Sequence, residues 1–177
     1  MARSKAWGTG LLVGAGLLAA VALWPQGVGT SSAAQRNALV LGEGGDSSID
    51  RNPANLLPGF RARLERVFLR MQAQGFRPIL WEGRRSQARA AMLARRGTGI
   101  VHSMHVPGAA ADVLDHDLHW NAPQAFWKAL GAAAKAEGLV WGGDFKRGDV
   151  DHLQAVRTRD EARFWAMTPH EQTAFVA

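Results

Sequence analysis

The sequence predicts an α+β domain, a short antiparallel sheet flanked by helices, behind an N-terminal transmembrane or signal helix. Three observations predict it. Beyond residue 56, stretches with apolar residues at helical spacing alternate irregularly with short strand candidates. The connections between them are long, which argues against a doubly wound parallel sheet. The first 35 residues have a composition unlike the rest.

Arg3 and Lys5 precede Ala6–Trp24, a 19-residue stretch without charge, and the next charge is Arg36. A helix of that length spans roughly 28 Å, close to the hydrocarbon core of a bilayer. Basic residues on the short N-terminal side predict that end inside and the rest outside the cytoplasm. The expected location is therefore exported, on the periplasmic or extracellular side of the cytoplasmic membrane, with the membrane as a partner through this segment. Ser32 and Ala34 have the small-residue spacing that permits a cut before Gln35. Residues 1–35 accordingly read as a signal peptide, a signal anchor or a signal-arrest-release segment. Gly14–Ala19 formally fits a dinucleotide fingerprint, but it lies inside the apolar stretch with no strand before it.

Residues 36–55 continue a Gly-, Ser-, Pro- and Asn-rich run without periodicity and read as a linker. The domain is expected over 56–177. Leu56–Gln74 carries Phe60, Leu64, Val67, Phe68 and Met71 at helical spacing, and Gly75 ends it. Pro78–Trp81 predicts a strand. Ser86 caps a helix running to about Arg96, stopped by Gly97. Ala109–Leu114 predicts a second strand. Asn121 with Pro123 opens a helix that closes at Gly138. Leu139–Trp141 and His152–Ala155 predict two short strands around a Gly-Gly turn, and Thr168-Pro169 opens a last helix.

Net charge is +6, which favours polyanions, yet no basic run exceeds two residues and no nucleic-acid motif accompanies them. No nucleic-acid partner is expected, and the domain is read as a monomer. The chain has no cysteine, which excludes disulfides, thiolate metal sites and cysteine nucleophiles. A metal site here must be built from His, Asp and Glu.

Such a site is legible. In Ser103-Met-His105-Val-Pro-Gly108-Ala-Ala110-Ala-Asp112, Gly108 lets the chain turn so that His105 and Asp112 meet. Downstream lie Trp141-Gly142-Gly143-Asp144-Phe145 and Asp149-Val-Asp151-His152. Two imidazoles and one carboxylate suit a catalytic zinc site, which takes three protein ligands and leaves a fourth position open. A spare carboxylate nearby suits a general base, and Asp149 and Asp151 are both candidates.

The pattern SxHxxGxAxD, followed by WGGDF and DxxH, resembles the zinc D-Ala-D-Ala carboxypeptidase and L-alanyl-D-glutamate endopeptidase family, the M15 peptidases, which include phage endolysins. The resemblance covers roughly residues 56–156. It implies the small mixed fold shared by DD-peptidases and the Hedgehog signalling domain. It implies Zn2+ held by His105, Asp112 and His152, with Asp149 as the carboxylate that takes a proton from the attacking water. The family's GYRS element matches Gly83-Arg84-Arg85-Ser86 and implies Arg85 as a clamp on the substrate. Ser103 and Trp141 are expected to border the substrate. Two positions depart from the pattern: Arg84 stands for an aromatic residue and Asp151 for a proline. In a strand Asp151 would face away from His152.

The implied activity is zinc-dependent hydrolysis of peptidoglycan stem peptide, as an L-alanyl-D-glutamate endopeptidase ahead of a D-Ala-D-Ala carboxypeptidase. A non-catalytic, zinc-stabilised wall-binding module is the rival from another class. Asp115–His119 reads as a solvated hairpin, and His102 as structural. Asp144 is expected to brace the Gly-Gly turn, and Trp81, Trp120 and Trp127 to belong to the core.

Overall fold

A proline at the first helical position gives up an N–H that the helix cannot use, and Pro58 does this for the first long helix. The computed structural model describes residues 48–177. The hydrophobic segment 1–35 and residues 36–47 lie outside the described residues. Among the described residues no helix is long and apolar enough to cross a membrane.

Helix α1 spans Pro58–Gln72 and buries Phe60, Leu64, Val67 and Met71, one stripe at three- and four-residue spacing. Each such side chain contributes about 1.5–3 kcal/mol on full burial. Strand β1 covers Pro78–Glu82. Helix α2, Gln87–Arg95, begins where the Ser86 hydroxyl accepts from the Arg89 N–H at 3.1 Å. Strand β2 is Ala110–Asp115, helix α3 is Gln124–Ala136, and strands β3 and β4 are Val140–Trp141 and His152–Gln154. Two short helices close the chain, α4 at Glu161–Trp165 and α5 at Pro169–Phe175.

The expected elements are present with shifted ends. Leu56 belongs to a short 3-10 turn over Pro53–Asn55 rather than to α1. Pro123, not Asn121, caps α3. Helix α4 was not expected; it is five residues long and buries only Phe164, too little to show a period. Residues 50–55, read as the end of a linker, lie against the domain. The Asp50 carbonyl accepts from Gly83 N–H at 2.6 Å, and Arg51 donates to the Trp81 carbonyl at 3.0 Å.

The four strands form one sheet in the order β1-β2-β4-β3, with every neighbouring pair antiparallel. Directly paired residues point to the same face, and successive residues to opposite faces. Leu80, Ala111, Val113 and Leu153 therefore share one face, and they pack with Phe60, Leu64, Phe126 and Leu130 of α1 and α3 into the main core. Asp112 and His152, also directly paired, belong to the other face. A second cluster of Met104, Ala109, Ala110, Val156, Phe164 and Val176 anchors the C-terminal helices beside the segment that leads into β2.

Candidate metal centre

His105 sits in the turn before β2, and its position depends on Gly108. Gly108 has φ +79°, and a Cβ there would lie 2.7 Å from the Asn55 carbonyl oxygen, so only glycine fits. Its N–H donates to the His105 carbonyl at 3.0 Å, closing the turn that aims the imidazole at β2. Asp112 and His152 meet by register, as partners across β2 and β4. His152 lies 40 residues beyond Asp112, so only the sheet brings them together.

The three donor atoms form a nearly equilateral triangle. His105 Nε2 is 3.2 Å from His152 Nδ1, and each of these nitrogens is 3.2 Å from Asp112 Oδ1. Donors about 2.0–2.1 Å from a tetrahedral zinc stand about 3.3 Å apart, so the triangle matches one face of such a tetrahedron.

The hydrogen bonds behind the ligands decide which nitrogens carry lone pairs. His105 Nδ1 is 2.7 Å from the Gly83 carbonyl oxygen, which can only accept, so Nδ1 holds the proton and Nε2 the lone pair. His152 Nε2 is 3.0 Å from Gln154 Oε1. The Gln154 amide donates to Glu161 at 2.8 Å and to the Val156 carbonyl, which fixes its oxygen towards His152. Two imidazole lone pairs and a carboxylate oxygen thus converge on one point. Neutral histidines with their outer nitrogens held in this way are the usual dress of a metal ligand. The donor set fits zinc, and His105, Asp112 and His152 are the group that could hold a metal ion among the described residues.

Burial opposes ionisation of Asp112, but the facing imidazoles of His105 and His152 outweigh it and hold its carboxyl well below the ordinary range. Burial likewise opposes a charged His152. Asp112 and Gln154 over-compensate and raise its pKa above the usual value.

Arg85 is only 10% exposed, and its guanidinium is engaged inside the protein. It forms a forked pair with Glu82, both bonds at 2.9 Å, and its Nη2 lies 3.5 Å from Asp112 Oδ2. Ser103 sits behind the ligands: its hydroxyl is 3.4 Å from the His105 N–H and 3.5 Å from Arg85 Nη1. Arg84 is exposed and donates to the Val106 carbonyl at 3.2 Å.

Asp149 is exposed, in the loop just before β4. Its N–H donates to the Gly142 carbonyl at 2.8 Å, and its carbonyl accepts from the His152 N–H at 3.2 Å. Asp151 precedes β4 and accepts from the Trp120 indole N–H at 3.2 Å. Burial, with the Asp112 and Asp149 carboxylates close by, pushes Asp151 up to about 7.

Trp141 is not brought to the metal face. It pairs with Leu153, which faces the helices, and its ring lies across Gly131 of α3, where a Cβ would stand 2.6 Å away. The expectation that it borders the substrate therefore meets a ring turned to the opposite side of the sheet. Asp144 does not brace the Gly-Gly turn: its carboxylate pairs with Lys135 at 2.7 Å. Trp120 is 56% exposed rather than part of the core, with Trp81 packed edge-on at 4.8 Å. In the hairpin turn His116, Asp117 and His119 are exposed, while Asp115 is buried and caps the turn through the N–H groups of Asp117 and Leu118. His102 rests against Trp165, ring centroids 5.2 Å apart.

Three residues behind the site carry no motif of their own: Glu82, Arg89 and Gln154. Glu82 is 4% exposed and receives Arg89 at 2.7 Å as well as Arg85. Burial disfavours its charge, but the two guanidinium groups prevail and lower its pKa. Gln154 had a readable signal, since two residues beyond a strand ligand lies on the same face.

Residues 96–155 match the family model of the M15 peptidases described as D-alanyl-D-alanine carboxypeptidase. The matched stretch includes His105, Asp112, Asp149 and His152. The chain is also similar to the crystal structure of Serratia marcescens L-Ala D-Glu endopeptidase ChiX, at 24% identity and TM-score 0.49, covering 62% of this chain and 86% of that one. No curated protein matches the chain.

Proposed function

We propose that this protein is a zinc-dependent peptidase that cuts the stem peptide of peptidoglycan. The observation that carries the reading is the triangle of three lone-pair donors at 3.2 Å, built from the residues that the M15 pattern marks. His105, Asp112 and His152 would hold the metal. When bound, zinc supplies Lewis acidity: it polarises a carbonyl and makes water acidic enough to attack near neutral pH.

The chain's own residues supply the rest. Asp149, exposed and tied through its backbone to His152, accepts the proton of the attacking water and passes it to the leaving amine. Asp151 is the other candidate base, but its carboxylate is already held by the Trp120 indole N–H.

The finer reading is an L-alanyl-D-glutamate endopeptidase, supported by the likeness of Trp141–Phe145 and the short domain to endolysin-type members. The description of the matching family model favours a second reading, D-Ala-D-Ala carboxypeptidase. Mass spectrometry of wall digested by the purified, zinc-loaded protein separates them. A new D-Glu amino terminus supports the first and free D-alanine the second, while an intact digest overturns peptidase function. Export is part of the proposal, from the charge order around Ala6–Trp24; a C-terminal reporter active only in the cytoplasm would contradict it.

A further inference from the structure

Arg85 touches two of the three ligand-bearing segments at once. Its backbone N–H donates to the His105 carbonyl at 3.0 Å, and its side chain lies 3.5 Å from the outer oxygen of Asp112. Glu82 takes two of its N–H bonds at 2.9 Å, and Glu82 is in turn gripped by Arg89 at 2.7 and 3.3 Å. Glu82 is also the ladder partner of Asp112, across the irregularity in β1 that follows Leu80. These groups are largely shielded from water, and a buried carboxylate between two arginines is an expensive arrangement unless it fixes something.

What it fixes is the orientation of the ligand carboxylate. Asp112 Oδ1 faces both imidazoles, and Oδ2 faces the guanidinium. We infer that Arg85, held in place by Glu82, is a positioning residue of the metal centre: it occupies Oδ2 so that Asp112 offers zinc one oxygen in a preset direction. This rests on the metal-binding reading above, and it gives Arg85 work to do before any substrate arrives. Ligating carboxylates that are themselves hydrogen-bonded bind better, and losing such a support weakens metal affinity by about 10- to 100-fold. A substrate clamp behaves differently, because its loss leaves the metal untouched.

The test is zinc affinity of the purified full chain, measured by competition with a chromophoric chelator and without any substrate. Arg85→Gln and Arg85→Lys are both made, since lysine keeps the charge but cannot fork between Glu82 and Asp112. Circular dichroism of the metal-free proteins checks that each folds. Glu82→Gln, which leaves Arg85 in place but loosens it, is the third variant. The expected result is zinc binding about 10- to 100-fold weaker in both Arg85 variants, with a smaller loss in Glu82→Gln. Arg85 variants that bind zinc like the wild type, whatever their activity, overturn the inference and leave the clamp. If the wild type itself does not bind zinc, the metal-centre reading and this inference fall together.

Discussion

His105 and His152 are buried, and the outer nitrogen of each ring is tied to a fixed acceptor, the Gly83 carbonyl or Gln154 Oε1. Asp149, three residues before His152, is exposed, and the hydrogen bonds that anchor it to the sheet are those of its backbone. One region is built to be stationary and the other to meet solvent. A metal ligand gains from being held before the ion arrives, because no ordering cost is left to oppose binding. A group that exchanges protons with water and substrate has to be reachable. The same short stretch of chain satisfies both demands because β4 begins at His152 and the loop ends just before it.

The contrast breaks most visibly at Asp112. Asp112→Ala removes one corner of the triangle, so zinc and activity are expected to vanish together, measured as metal content after gel filtration and as wall hydrolysis. The zinc-dependent part of the melting temperature should go with them, since binding to the folded state alone stabilises it. Full zinc occupancy in this variant would mean that the ligands are elsewhere.

Asp149→Asn sharpens the comparison by separating base from ligand. The variant keeps size and much of the hydrogen bonding but cannot take a proton. Activity is expected to fall about 10²-fold or more with stoichiometric zinc retained. Asp151→Asn should do much less. A dead Asp151→Asn beside an active Asp149→Asn would exchange the two roles, and two active variants would remove proton transfer by this loop altogether.

A third effect lies behind the stationary region and reads out in stability rather than in metal or activity. Glu82→Ala leaves two arginines without their buried partner and is expected to cost about 3–5 kcal/mol in urea unfolding at neutral pH. The pKa of Glu82 is lowered in the fold, so its contribution is complete above the unfolded value of about 4.3 and disappears as pH falls through the lower folded value. The stability difference between wild type and variant should therefore shrink only below about pH 4.3. A difference that is unchanged down to the acid-unfolding limit would show that the fold does not lower the pKa of Glu82.

Several elements were legible because their signals are local. Ser86 accepts from the N–H three residues on, and Thr168 and Glu171 form a reciprocal cap on α5. Gly75 and Gly97 take positive φ where the sequence stops α1 and α2. Elsewhere a distant partner decided where a side chain lies. Asp144 sits beside the Gly-Gly turn in sequence, yet Lys135 of α3 captures it. Trp141 lies within the chemistry-bearing motif, but its register against Leu153 turns the ring towards the helices.

The site divides in the same way. By itself the sequence determined the donor types, the absence of thiolate alternatives, and the His105–Gly108–Asp112 turn, because each depends on side-chain chemistry or on a few adjacent backbone angles. Tertiary structure alone decided that His152 pairs opposite Asp112, that Gln154 and the Gly83 carbonyl fix the two tautomers, and that Glu82 sets Arg85 on the far oxygen. The physical reason is register. A strand shifted by one residue would turn His152 into the core and Leu153 into the site, and what forbids the shift is the burial of Leu153 against α1 and α3, far from any motif.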